Sequence, residues 1–212
     1  MPKGSPELTE ARRNEIMKAC KELYDKMNFK DISLKEIGNV TSFTRTSIYN
    51  YFQSKEEIFL ALFEKEYLDW TADLTEILES PDAMDTEELS ERIAETLTKR
   101  ELMLRLLSAN LYDLEENSRM ERLVDFKRAY KSSVEVMGKI LEKHYPDLDE
   151  SERRLTLVTA FEFLHGTYPY AHATDKQAEA MEEAGVPKWN YTLYELLYEG
   201  LRRILGQERR HR

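Results

Sequence analysis

The side chains best equipped for chemistry lie between Ile37 and Lys55. These nineteen residues contain no carboxylate, while they carry Arg45, Lys55 and a run of hydroxyl and amide side chains. A guanidinium fork can donate to guanine O6 and N7 together. Hydroxyls, amines and helix N-termini suit phosphate oxygens. A patch without acids avoids repelling a phosphate backbone, whose neutralisation supplies much of the strength of nucleic-acid binding. The net charge of −10 argues the other way until its distribution is read. Residues 1–66 hold 11 basic and 11 acidic side chains, so the acidity belongs entirely to the remainder.

Other candidate chemistry is thin. Glu162 and His165 form a Glu-x-x-His pair, half of what a di-iron bundle uses, and the matching second pair is absent. His144, His172 and His211 have no ligand-like spacing, and His165 is expected as a hydrogen-bonded interior residue with a ligand-orienting role as the alternative. Cys20 is the single cysteine, so no internal disulfide can form; its place on an apolar stripe reads as core rather than redox sensor. No Ser/His/Asp order, phosphate-cradling glycine loop or cofactor fingerprint is found, and neither an enzyme nor a cofactor is expected.

The elements that must hold these residues are helical. Gly and Pro are few and helix formers fill most of the 212 residues, so an all-α fold with almost no sheet is expected. A first helix is predicted from about Thr9 to Met27, with residues before Ser5 disordered. Ser33 and Glu36 have the form of a capping box that opens a short second helix ending near Val40. Thr44 caps a third over about Arg45 to Tyr51, and Ser54 with Glu57 repeats the box at the start of a long fourth. Further helices are expected over Glu87–Asn110, Arg119–His144, from Asp149 to a kink or stop at Pro169, from Asp175 to Gly185, and over Asn190–Leu205. A break is expected at Ser80-Pro81-Asp82, and the polar run Glu115 to Ser118 is read as a separator. No apolar window approaches the roughly 18 residues of a membrane span, and no signal-peptide pattern opens the chain; the cytoplasm is the expected compartment.

Two short helices joined across Thr41-Ser42-Phe43, the second free of acid, form a helix-turn-helix arrangement. The run S-L-K-E-I-G-N-V-T-S-F-T-R-T-S-I-Y-N-Y-F-Q-S-K-E-E-I-F-L-A-L-F from Ser33 to Phe63 resembles the DNA-binding region of the tetracycline-repressor (TetR) family, most specifically in I-Y-N-Y-F-Q-S-K-E-E-I-F. The resemblance covers residues 9–66 closely; beyond them only the pattern of long helices is similar. It departs at Ser42, where the family generally has Gly and a positive φ would cost about 1 kcal/mol. It departs again at Gly38, where the family prefers Ala and the second helix is loosened.

The resemblance implies a helix-turn-helix DNA-binding domain over residues 1–53 and a larger helical ligand-binding and dimerisation domain over 54–212, with 54–70 as connecting helix. It implies a repressor that binds a palindromic operator in double-stranded DNA as a homodimer and is released by a largely apolar small-molecule effector. Activator action, a scaffold whose head no longer binds DNA, and a helical metalloenzyme stand as alternatives. Arg45 is the expected base reader, with Thr46 and Asn50 as weaker ones. Ser33, Thr44, Ser47, Tyr49, Tyr51 and Lys55 are expected at phosphates, Tyr51 with a core role as the equal alternative. The implied effector cavity draws its candidates from Trp70, Leu74, Leu104, Leu107, Leu111, Tyr112, Phe126, Tyr130, Phe161, His165 and Tyr168. Helices near 151–168 and 190–205 are expected to pair with their copies.

Overall fold

The computed structural model describes residues 5–81 and 83–206; residues before Ser5, Asp82 and His211, each part of an expectation above, lie outside them. Among the described residues the α-helices are α1 (Pro6–Tyr24), α2 (Leu34–Asn39), α3 (Arg45–Ile48), α4 (Lys55–Glu79), α5 (Thr86–Thr98), α6 (Glu101–Ala109), α7 (Leu111–Glu116), α8 (Met120–His144), α9 (Glu150–Ala171), α10 (Asp175–Glu183) and α11 (Leu193–Gly206), with a 3₁₀ turn at Phe29–Asp31. No strand occurs among them. The chain is all-α, as its composition requires. No helix is long and apolar enough to cross a membrane.

The chain divides into two compact units: residues 1–65 with 111–129, and 66–110 with 130–212. In the first, α1 begins three residues earlier than its apolar stripe suggests, because the Ser5 side chain accepts the Leu8 N–H and Pro6 occupies the first turn, where no N–H is needed. Its buried face includes Ile16, Ala19, Cys20 and Tyr24, and the Tyr24 ring meets Phe59 at 5.0 Å between centroids, with Phe29 and Phe59 at 4.9 Å. Phe63 of α4 packs on Phe126 of α8 at 4.9 Å. The run Glu115–Ser118 is not simply a separator: its first two residues finish α7, whose end is closed by the Asn117 side chain donating to the Asp113 carbonyl at 2.9 Å.

In the second unit α5 and α9 pack on α11, and α6 packs on α9. Leu89, Ile93 and Leu97 form the buried stripe of α5, whereas Leu102, Met103, Leu104, Leu106 and Leu107 are all buried on α6, too wide a face to continue that stripe. The segment predicted as one helix therefore turns at Lys99–Arg100, and Arg100 is tied to Asp73 at 2.6 Å. Asp149 and Glu152 make the expected capping box of α9. Pro169 neither stops that helix nor is its last residue; α9 runs to Ala171 and the His172 N–H closes on the Tyr168 carbonyl. Gly185 takes φ +67 after α10, as its position predicted. α11 starts at Leu193 rather than Asn190, because Thr192 and Glu195 form a reciprocal cap: Glu195 N–H donates to Thr192 Oγ1, and Thr192 N–H to Glu195 Oε2 at 2.7 Å.

Candidate nucleic-acid interface

α2 and α3 pack on each other across the turn Val40–Thr44. Ser33 caps α2 by accepting from Lys35 and Glu36 N–H groups, and the Ser33 hydroxyl donates to the Glu36 carboxylate, which replaces the predicted return bond from Glu36 to the backbone. Thr44 Oγ1 accepts the Ser47 N–H at 3.2 Å and starts α3. Between them Thr41 Oγ1 donates to the Ile37 carbonyl at 3.0 Å and accepts the Phe43 N–H.

The expected strain at Ser42 is absent. No non-glycine among the described residues has positive φ. Instead the Ser42 N–H is held by Glu15 of α1 at 2.8 Å, and the Ser42 backbone and side chain keep that carboxylate below its ordinary pKa. Gly38 also has a reason. A Cβ there would stand 3.2 Å from the Phe43 carbonyl oxygen and 3.3 Å from the Arg45 nitrogen, so glycine lets the turn lie against α2.

α3 is seated from below and bare above. Ile48 and Phe52 are fully buried and Tyr51 is 6% exposed. The Tyr51 hydroxyl accepts from Arg12 at 3.2 Å, its ring meets Phe43, and Arg13 lies 4.8 Å above the Phe52 ring. Thr44, Arg45, Thr46, Tyr49 and Asn50 are exposed, and Ser33 and Ser47 are half-buried. Arg45 donates to the Tyr49 hydroxyl at 3.2 Å and lies along that ring, which holds its fork over the outer face of α3. Lys55 is engaged elsewhere: its Nζ donates to the Phe29 carbonyl at 2.6 Å and lies 4.3 Å from the Phe29 ring. Arg45, Thr46, Asn50, Thr44 and Tyr49 thus share one bare face, which Tyr51 and Lys55 do not join as free groups.

The turn after α3 is fixed by a partner that sequence reasoning missed. Ser54 Oγ accepts the Glu57 N–H as predicted. Glu57, 1% exposed, takes the Gln53 N–H at 2.8 Å and then turns to Arg119, accepting from its Nε at 2.6 Å, its Nη2 at 2.9 Å and its backbone N–H at 3.2 Å. Burial pushes the Glu57 carboxyl up, but Arg119 and these N–H groups together pull it below the ordinary carboxylate value. Ser54 also donates to the Asn117 carbonyl at 3.1 Å. An acid at the third position of a capped helix, with an arginine just ahead of a distant helix, was the available signal.

The candidates for an effector cavity are dispersed. Trp70, Leu104, Leu107 and Phe161 are buried in the second unit, with Trp70 Nε1 donating to Thr96 at 3.0 Å. Tyr130 is half-buried and edge-on to Tyr67 and Phe161; burial raises its pKa. Leu111, Tyr112 and Phe126 belong to the first unit, and Tyr112 stands 89% exposed on short α7, so it lines no enclosed space. His165 is exposed rather than interior, its Nδ1 2.9 Å from the Phe161 carbonyl of its own helix, and Glu162 beside it is exposed too. Tyr168 bonds Glu101 at 3.3 Å and stacks on His172. A cavity of about 800 Å³ lies in the second unit among the end of α9, α10 and the loop after it, and contains none of these side chains. Among the described residues no group of three or more His, Cys, Asp or Glu could hold a metal.

The model of bacterial regulatory proteins of the tetR family matches residues 16–62, and that of the tetracyclin repressor-like C-terminal domain matches residues 64–206. An uncharacterized HTH-type transcriptional regulator of Bacillus subtilis, YdgC, is 35% identical over 81 residues, which cover 38% of this chain and 41% of the relative's length. A TetR/AcrR-family regulator from Thermobifida fusca shares the fold at TM-score 0.64 and 22% identity, over 94% of this chain and all of the other. So does the Bacillus subtilis regulator FadR, solved in complex with stearoyl-CoA, at TM-score 0.61 and 16% identity over 91% and 97% of the two chains. With one family model on the helix-turn-helix and another on most of the remaining chain, this protein belongs to the TetR family of transcriptional regulators.

Proposed function

We propose that the protein is a ligand-responsive repressor that binds a near-palindromic operator as a homodimer through α3. The observation that carries this reading is the outer face of α3: Arg45, Thr46 and Asn50 are exposed together without a carboxylate in residues 37–55, on a helix seated by Ile48 and Phe52. Arg45 reads a guanine edge, while Thr44, Ser47, Tyr49 and the helix starts hold phosphates. One fork per subunit gives modest discrimination, which two-fold symmetry doubles. The copies associate through α9 and α11: Leu155 and Val158 are 68% and 48% exposed on α9, and Leu196 and Ile204 are half-exposed on α11. Such a dimer spaces its recognition helices by about 34–36 Å, one DNA turn, or a related distance.

The effector enters among Tyr67, Trp70, Tyr130 and Phe161, where four aromatic rings meet edge-on or tilted with Leu104 and Leu107 in the same core. It shifts affinity for DNA by no more than its own preference between two shapes, commonly ~1–3 kcal/mol. Stearoyl-CoA, with which the Bacillus subtilis FadR was solved, is the first compound to test.

The deciding experiment selects duplexes from a random library with the purified protein near physiological salt. A palindrome enriched by the wild type and not by Arg45→Ala supports the reading. A folded dimer that enriches nothing overturns it in favour of a scaffold protein.

A further inference from the structure

α10 is a nine-residue helix with every local signal of a defined helix and no buried residue. Thr174 and Gln177 form a full capping box and Gly185 closes the C-terminal end. Isolated helices shorter than about 12–15 residues are marginal in water, and packing normally supplies what local propensity does not. The large apolar side chains around it are bare as well: Tyr170 is 69% exposed, Val186 42%, Trp189 58% and Tyr191 55%. Tyr170, Val186 and Trp189 border the 800 Å³ groove, which is also lined by Ala178 and Met181 of α10 and by Pro169 and Ala171 of α9.

From this we infer that residues 172–192 form an arm that folds against the same arm of a second copy, Trp189 and Tyr191 of each seated against the groove and Tyr170 of the other. The inference rests on the dimer proposed above and deepens it. The area favours a second copy. A stable interface buries about 800 Å² per partner, and apart from Tyr170 the large apolar side chains of α9 and α11 that are more than a third bare are Leu155 and Val158. Aromatic side chains bury roughly 150–250 Å² each, so Tyr170, Trp189 and Tyr191 leave on the order of 350 Å² of ring surface to be covered, a large part of the shortfall. The patch is continuous with the proposed α9 face, because Pro169 and Tyr170 end that helix. Lys188 at the groove's edge is paired with Glu182 at 3.3 Å. A small molecule in the groove would leave Tyr191 and the outer side of α10 bare; a two-fold contact, in which each surface meets its copy, covers both.

The test uses the two tryptophans. Trp70 is 1% exposed, so emission accessible to acrylamide in the wild-type protein comes from Trp189. Sedimentation is measured on the same sample. The expected result is a dimer in which acrylamide quenches almost none of the emission, and in which Trp189→Glu weakens dimerisation roughly 30-fold or more, as loss of a buried aromatic anchor does, with the helical circular dichroism unchanged. A dimer whose emission is largely quenchable overturns the arm and leaves the dimer reading intact. A monomer overturns both. A dimer in which Trp189 becomes shielded only on adding stearoyl-CoA makes the groove a ligand site and also overturns the arm.

Discussion

Replacing Arg119 by Met removes the two side-chain donors that hold Glu57 while keeping most of the packing of the arginine stem. The carboxylate is 1% exposed and is left with the Gln53 and Arg119 backbone N–H groups alone. Breaking a buried pair costs about 3–5 kcal/mol. The Arg119 side chain is 35% exposed, so water reaches its side of the pair and the figure is roughly halved, to about 2 kcal/mol. For a chain of this size that lowers the melting midpoint of the unit holding the pair by roughly 4–8 °C. The folded pKa of Glu57 lies below its unfolded value, so its contribution is full above about 4.3 and is lost as pH falls through the folded pKa. Urea titrations of both proteins at neutral pH and at progressively lower pH should show a gap that narrows below that value. An unchanged midpoint, or a gap that stays constant into acid, refutes the assignment of Glu57 as an ionised, Arg119-dependent group.

Arg45→Ala should cost about 1–3 kcal/mol in operator binding and relax preference at one base position, whereas Lys55→Ala, whose ammonium is not on the bare face of α3, should change operator affinity and its salt dependence little. Because Lys55 holds the Phe29 carbonyl, its removal should lower stability, which a thermal melt without DNA checks. Cys20 is fully buried and burial pushes its thiol well above the ordinary value, so a thiol reagent at mildly alkaline pH should label it only after unfolding; rapid labelling of the native protein would contradict the packing of α1. Gly38→Ala gains about 1 kcal/mol of helix propensity but drives its Cβ onto turn backbone at 3.2 Å; a net loss in stability is expected, and a more stable variant would show that the turn gives way. Burial and then the neighbouring Lys143 lower the pKa of His144, which accepts the Met84 N–H. Its neutral form is favoured by folding, so a His144→Gln variant should lose less stability than the wild type as pH falls below about 6.5.

Much of the DNA-binding head was legible because its signals are local. Ser33, Thr44 and Ser54 sit at helix starts where a side-chain oxygen can meet an N–H two or three residues on, and that geometry depends on the nearest turn alone. The apolar spacing of Ile48 and Phe52 likewise states which side of α3 is inward. What misled was the supposition that a local pattern completes itself locally. Ser42 was read as a strained turn residue, but its N–H is met by Glu15 from 27 positions earlier. Glu57 was read as closing its own cap, but it spends its carboxylate on Gln53 and on Arg119, 62 positions away. Tyr112 was grouped with cavity residues because it is aromatic, while α7 turns it to solvent.

The sequence by itself determined that the chain is helical, where the caps begin most helices, and which stretch is free of acid, because propensity, capping and charge are properties of residues a few positions apart. Only the tertiary structure decided that α5 and α6 part at Arg100, that Lys55 is spent on the Phe29 carbonyl, that His165 faces outward, and that no residue of α10 is buried. Those outcomes depend on which distant groups compete for the same hydrogen bond or the same buried area, and that competition exists only once the helices are packed.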